Sequence, residues 1–185
     1  MLVLASRSPR RQEILANAGI QFTVRAPNVP EERMDGEGAE DYVRRLAADK
    51  ALAVECGKDE IILSADTVVV VNDTILEKPR DPLDAGRMLR LLSGCEHKVL
   101  TGICLRDETR LIVDAASTWV RFVHLTATEI QEYVRSAEPI DKAGGYAIQG
   151  LASKFVERIE GCYFNVVGLP IALVYRHLKE FGFRS

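Results

Sequence analysis

The order of elements along the chain predicts an α/β or α+β fold built on a mixed sheet. Three observations carry this. Strand and helix signals alternate from the first residues, a β-branched run over 61–71 ends in a two-residue turn signal, and two further apolar strands follow a well-marked helix. At 185 residues the chain suits one domain, or two lobes of one domain, better than two independent ones. With 47% hydrophobic and 28% charged residues it can bury a real core, which argues against disorder.

Residues 2–5 read as a short buried strand. Ser8-Pro9 then look like an N-cap with proline at the first helical position, opening a helix that runs to Gly19. A second helix is expected over 39–56, where Val43, Leu46, Ala47, Lys50, Ala51 and Val54 share one face. Lys50 is out of place on that stripe. In the strand over 61–71, Asn72-Asp73 marks a tight turn back into 74–77, a register that sets Val71 against Thr74 and Thr67 against Lys78. Asp81-Pro82 repeats the cap-then-proline signature, and its helix should stop at Ser93-Gly94. Strands over 97–106 and 111–125 follow, joined by a polar turn at Asp107 and Glu108. Thr126 and Glu129 match a capping box for a helix toward Ala137, and Pro170 begins a last helix to Phe181. The segment between these helices is glycine-rich and reads as irregular, while 31–40 reads as a long polar loop.

A formal charge of -3 gives no global attraction for nucleic acid or an anionic membrane, so a polyanion site has to be a local cluster of cations. Cys56, Cys95, Cys104 and Cys162 show no zinc spacing and are expected to be buried free thiols. The N-terminal run has neither the order nor the length of a signal peptide, and no segment approaches the ~20 apolar residues of a membrane span. The expected compartment is a reducing cytoplasm.

Three places break local rules. Ser6, Arg7, Ser8, Arg10 and Arg11 crowd a strand-to-helix turn, where cations oppose the helix dipole unless an anion sits there. Free backbone N–H groups, hydroxyls and guanidinium forks suit a triphosphate. The competing reading pairs these arginines with Glu13 and Glu32 or leaves them in solvent. Asp66 lies inside the apolar run ILSADTVVVV, where a carboxylate needs a partner or a task. The hairpin register brings Lys78 within a residue of lying opposite it, a candidate catalytic pair, against the alternative that Asp66 only bonds a loop. Glu31 and Glu32 could join Asp66 around a divalent cation, although solvated loop acids are the commoner case. Gln149, in a glycine-flanked loop, can donate and accept at once, as the carbonyl and N3–H of uracil or thymine require. His97, His124 and His177 show no ligand spacing and read as structural.

The blocks ASRSPRRQEIL, YVRRLAADKA, SADTVVVVNDTILEKP, LSGCEHKVLTG and KAGGYAIQGLASKFVERIEGCYFNVVGLP, in this order, resemble those of the Maf family of nucleoside triphosphate pyrophosphatases over nearly the whole chain. The resemblance implies one Maf-like domain over 1–185, an α/β fold similar to inosine triphosphate pyrophosphatases, with a mixed twisted sheet flanked by helices and two lobes around a central cleft. It also implies a divalent metal, magnesium or manganese, and a homodimer. Carried over by position, Asp66 is the proton acceptor, while Lys50 and Lys78 are catalytic residues that line the triphosphate. Ser6, Ser8, Arg10 and Arg11 line the triphosphate, and Glu32 joins Asp66 at the metal. Arg10, Thr67 and Gln149 match the branch that acts on dTTP and UTP rather than 7-methyl-GTP. The implied reaction is water attack on the α-phosphorus, giving dTMP or UMP and diphosphate, with modified pyrimidine nucleotides as further substrates and a restraint on cell division. The alternative is a nucleotide-binding regulator of septum formation with incidental hydrolysis. No nucleic acid polymer and no membrane is expected as partner.

Overall fold

The computed structural model describes residues 1–183. Its strands are β1 (Leu2–Leu4), β2 (Phe22–Val24), β3 (Ile61–Val71), β4 (Thr74–Leu76), β5 (Glu96–Arg106), β6 (Leu111–Phe122) and β7 (Val156–Glu160). Its α-helices are α1 (Pro9–Asn17), α2 (Ala39–Leu52), α3 (Pro82–Leu92), α4 (Ala127–Arg135), α5 (Tyr163–Val167) and α6 (Ile171–Glu180), and short 3-10 turns occupy much of the stretch between α4 and β7. The strands form one mixed sheet in the order β2-β1-β3-β5-β6-β7, with β4 paired to β3. The chain divides into two compact units whose segments interleave: Met1–Asp66, Thr101–Ala116 and the chain from Gly168 onward make the first, Thr67–Leu100 and Ser117–Val167 the second.

In the first unit β1 lies parallel to both β2 and β3, Leu2 pairing with Phe22 and Ile61. Leu2, Val3 and Leu4 are wholly buried, as a parallel strand covered on both faces requires. Helix α2 buries Tyr42, Val43, Leu46, Ala47, Lys50 and Ala51. Val3, Ala5, Ala47, Ala51, Val54, Ile62 and Cys104 form one apolar cluster behind it. The helix comes very close to β5, because a Cβ at Gly102 would fall on the carbonyl of Val43 and the amide of Arg44. Only glycine allows that approach. The helix stops at Leu52, short of the expected 56, where the chain turns at 57–60 and the Glu60 carboxylate accepts from the Gly57 amide at 2.8 Å.

In the second unit β4 runs antiparallel to β3 with Val71 against Thr74. Asn72 and Asp73 both have positive φ, the mirror-image turn that matches strand twist. The hairpin register is therefore as the sequence predicts, but β4 ends at Leu76, so Lys78 lies beyond the ladder. Asp81 caps α3 by accepting from the Asp84 amide at 2.8 Å, and Thr126 with Glu129 forms a complete capping box on α4. His97 packs edge-on between Phe122 and Tyr146 and bonds the Tyr146 hydroxyl at 2.9 Å. Burial lowers its pKa to about 4, a structural histidine.

Some elements differ from expectation. Strand β2 is three residues long, and β7, pairing antiparallel with β6, has the mostly exposed sequence VERIE; neither carries enough apolar alternation to be read as a strand. Helix α5 spans five residues, too few for a helical period to emerge. Among the cysteines, all free thiols, only Cys104 is buried; Cys56, Cys95 and Cys162 are half-buried, because they sit at or beyond the ends of regular elements rather than inside them.

Candidate active site

The first unit holds a buried charged centre. Lys50, in the last turn of α2, donates to Asp66 Oδ1 at 2.6 Å, and its Nζ lies 2.5 Å from Glu31 Oε1. Lys50 and Asp66 are 8% exposed each, so neither charge is solvated by bulk water. The apolar stripe of α2 carries Lys50 inward, and a cation in a last helical turn is also favoured by the helix dipole. A second bond fixes the two elements together: Ser64, two residues before Asp66, donates its hydroxyl to the Ala47 carbonyl at 2.5 Å. Burial raises the pKa of Asp66 above the ordinary aspartate value, against the opposing pull of the Lys50 and Arg11 charges.

Beside this pair, the serine-arginine turn is organised by Arg11. Its Nε donates to the Gly168 carbonyl at 2.8 Å, and its Nη1 to the Ala65 carbonyl at 2.8 Å and to Ser6 Oγ at 3.2 Å. Arg11 thus ties the turn to the residue preceding Asp66. Ser6 is buried and its Oγ also accepts from the Ser8 amide at 3.2 Å, whereas Ser8, the N-cap of α1, makes no side-chain cap. Arg10 is half-buried at the start of the same helix.

The acidic loop before α2 is strapped to that helix by one cationic and one aromatic side chain. Arg45 holds Glu37 at 2.6 and 2.8 Å and the Glu32 carbonyl at 2.9 Å, and stacks on the Tyr42 ring, while the Tyr42 hydroxyl donates to the Glu31 carbonyl at 3.1 Å. It is Glu31 whose carboxylate reaches Lys50; Glu32 is exposed. Among the described residues no group of three or more His, Cys, Asp or Glu comes together as a metal cage. The Glu31 and Asp66 carboxylates, sharing one ammonium, do fit a hydrated hard cation, which takes one or two carboxylates and completes its shell with water and phosphate.

The second unit carries Thr67, Lys78 and Gln149. Thr67 follows Asp66 directly in β3 and is half-buried. Lys78 is exposed, and Glu77 before it accepts from the Gly144 amide at 3.0 Å, which fixes the start of the 78–80 segment. Gln149 is exposed at the tip of a loop whose two flanks are bonded down. The Ala147 amide donates to Tyr133 Oη at 3.1 Å and the Leu151 amide to Glu138 Oε2 at 3.1 Å. Sequence reading does not find Tyr133, Glu138 or Arg45: each looks like an ordinary helix or turn residue, and its partners lie on loops without a periodic pattern. Glu31 had a signal, as one of two adjacent acids.

The class of protein defined here is an α/β fold with a buried lysine-carboxylate centre beside a cationic strand-to-helix turn. Within that class the chain belongs to the Maf family, whose model, described as Maf-like protein, matches residues 1–181. Relatives include a dTTP/UTP pyrophosphatase of Koribacter versatilis, 48% identical over 98% of this chain and 94% of that one. Another of the same name, from Vibrio cholerae, is 49% identical over 97% of each. Among solved structures the Ham1 protein of Staphylococcus aureus covers 97% of this chain and 98% of its own with a TM-score of 0.52 at 12% identity, a likeness of fold alone. No described helix is long and apolar enough to cross a membrane.

Proposed function

We propose that this protein is a nucleoside triphosphate pyrophosphatase that hydrolyses dTTP and UTP to dTMP or UMP and diphosphate. The observation that carries the reading is the Lys50–Asp66 pair, a carboxylate buried in β3 and held by the Lys50 ammonium in a fold whose 48% identical relatives bear that name. Asp66 is the proposed general base: it takes a proton from water as the water oxygen attacks the α-phosphorus, and the bond to the bridging oxygen of diphosphate breaks. Burial makes it a better proton acceptor, and the neighbouring Lys50 charge opposes that rise. Arg10, Lys78, Ser6 and Ser8 are assigned to the triphosphate, where fixed donors stabilise charge on the departing diphosphate. Arg11, bonded to Ser6, Ala65 and Gly168, is assigned to shaping that turn.

Asp66, with Glu31 and Glu32 of the strapped loop, is proposed to hold a divalent cation, magnesium or manganese. When bound, that ion offsets negative charge on phosphate oxygens. Gln149 is assigned to the base, donating to a carbonyl and accepting from N3–H of uracil or thymine, with Thr67 and Arg10 as the other specificity residues. Homodimers in the cytoplasm complete the reading.

Diphosphate release over a panel of nucleoside triphosphates, with magnesium and with manganese, tests the proposal. Turnover of dTTP and UTP with none of 7-methyl-GTP is the expected result. Tight nucleotide binding without product would overturn it in favour of a binding regulator.

A further inference from the structure

The loop that carries Gln149 is held by a two-residue clamp that no feature of the sequence announces. Glu138 uses both carboxylate oxygens. Oε1 accepts from the Tyr133 hydroxyl at 2.8 Å, and Oε2 accepts from the Leu151 amide at 3.1 Å. Tyr133 Oη in turn accepts from the Ala147 amide at 3.1 Å. The two main-chain amides held are those two residues before and two residues after Gln149, so the clamp closes on both sides of it.

Several local features are consistent with this clamp. Ala137, a non-glycine residue, sits at φ +60, a strained left-handed conformation that turns the chain from α4 into Glu138. The Ser136 hydroxyl then accepts from the Glu138 amide at 3.3 Å. At the far side, a Cβ on Gly150 would fall directly on the Glu138 carboxylate, so glycine beside Gln149 is what lets the carboxylate reach Leu151. Tyr133 is buried, with its ring edge-on to Phe155, and its hydroxyl bridges Ala147 and Glu138. Burial also raises the pKa of that hydroxyl, which keeps it a donor to the carboxylate.

A free glutamine at an exposed loop tip would lose side-chain and backbone entropy each time it engaged a base. Fixing the backbone beforehand removes part of that cost, in the manner of any pre-organised contact. We infer that Glu138 and Tyr133 are positioning residues for base selection: they hold the 147–151 segment so that Gln149 presents its amide to the pyrimidine, and they take no part in holding the phosphates. The inference rests on the assignment of Gln149 to the base.

The test uses the full-length enzyme and two measurements on each variant: KM for UTP, and the inhibition constant of inorganic tripolyphosphate, which has the phosphates but no base. Glu138→Gln keeps the shape but leaves a single carbonyl oxygen to accept where two carboxylate oxygens did, and Tyr133→Phe removes a single oxygen. Each is expected to raise KM for UTP about tenfold, the weight of one well-made hydrogen bond, with the tripolyphosphate constant unchanged. Loss of folded protein would lower the maximal rate and leave KM alone, so a merely structural role gives a different signature. Gln149→Glu is the reference variant. If it raises KM for UTP while Glu138→Gln and Tyr133→Phe do not, the positioning role is overturned and base reading by Gln149 stands. If Gln149→Glu itself leaves KM unchanged, the assignment of Gln149 fails, and the inference with it. A parallel rise in KM and in the tripolyphosphate constant for the clamp variants also contradicts it, because the clamp would then serve the phosphates.

Discussion

Lys50 and Asp66 meet at 2.6 Å inside a unit where every other buried residue of α2 is apolar or aromatic, so Lys50, which also meets Glu31 at 2.5 Å, is the main compensation for the water that the Asp66 carboxylate has lost. A buried carboxylate deprived of its cation typically costs 3–5 kcal/mol, more than the intact pair contributes over an apolar replacement. Lys50→Met is therefore expected to lower the unfolding free energy by about 3 kcal/mol. Lys50→Met combined with Asp66→Asn should recover most of that loss. Urea denaturation of the wild type, both single variants and the double variant checks it. A double variant as unstable as Lys50→Met would show that the lysine acts through packing and not through its charge.

The approach of α2 to β5 depends on one missing methyl group. At Gly102, alanine would have to push against main-chain atoms of Val43 and Arg44, which cannot turn aside as a side chain can. Gly102→Ala is expected to destabilise by about 2 kcal/mol, roughly 4–8 °C in melting temperature for a chain of this length. Activity should fall as well, since Lys50 rides on the displaced helix. Differential scanning calorimetry together with a UTP assay distinguishes the two effects, and an unchanged melting temperature would mean that the helix can move at no cost.

Two ion pairs of the first unit contribute to its acid limit, beside Asp107 and Asp114, whose carboxyls are also lowered. Hydrogen bonds from Arg45 to Glu37, and from Arg25 to Glu60, lower each carboxyl from 4.5 to about 2. A carboxyl that binds its proton more weakly in the folded state stabilises the fold above its unfolded pKa. That contribution is lost as the pH falls through the folded value. Stability should therefore be level near neutral pH and decline from about pH 4.5 to about 2. Urea midpoints measured across that range, for the wild type and for Arg25→Met with Arg45→Met, check this. The double variant should have the shallower decline, and equal slopes would assign acid unfolding to other groups.

Much of this architecture is legible in the sequence because its signals are local. Proline after serine or aspartate, a Thr-x-x-Glu box and Asn-Asp in a β-branched run each place an element boundary within a few residues, and the Val71–Thr74 register follows from the turn alone. Lys50 and Asp66 stand out for the same reason, as charges on faces whose neighbours are apolar. Their partnership with each other does not stand out. The hairpin suggested Lys78 for Asp66; the β4 ladder ends at Leu76, and a cation that bonds the carboxylate comes from a helix sixteen residues upstream. Long-range contacts of this kind leave no periodic trace. The same holds for Arg11, whose guanidinium closes on carbonyls 54 and 157 residues away, and for Glu138, whose partners lie in an irregular loop.

The most direct measurement is diphosphate release from UTP by Asp66→Asn beside the wild type, both shown to be folded and to bind nucleotide. An amide in place of the carboxylate keeps the shape and removes the base. The account predicts that kcat falls about 10²–10⁴-fold, the usual contribution of a positioned general base, while KM changes little. A variant that turns over UTP within a few-fold of the wild type would contradict it, because the buried aspartate would then be only an internal ion-pair partner for Lys50.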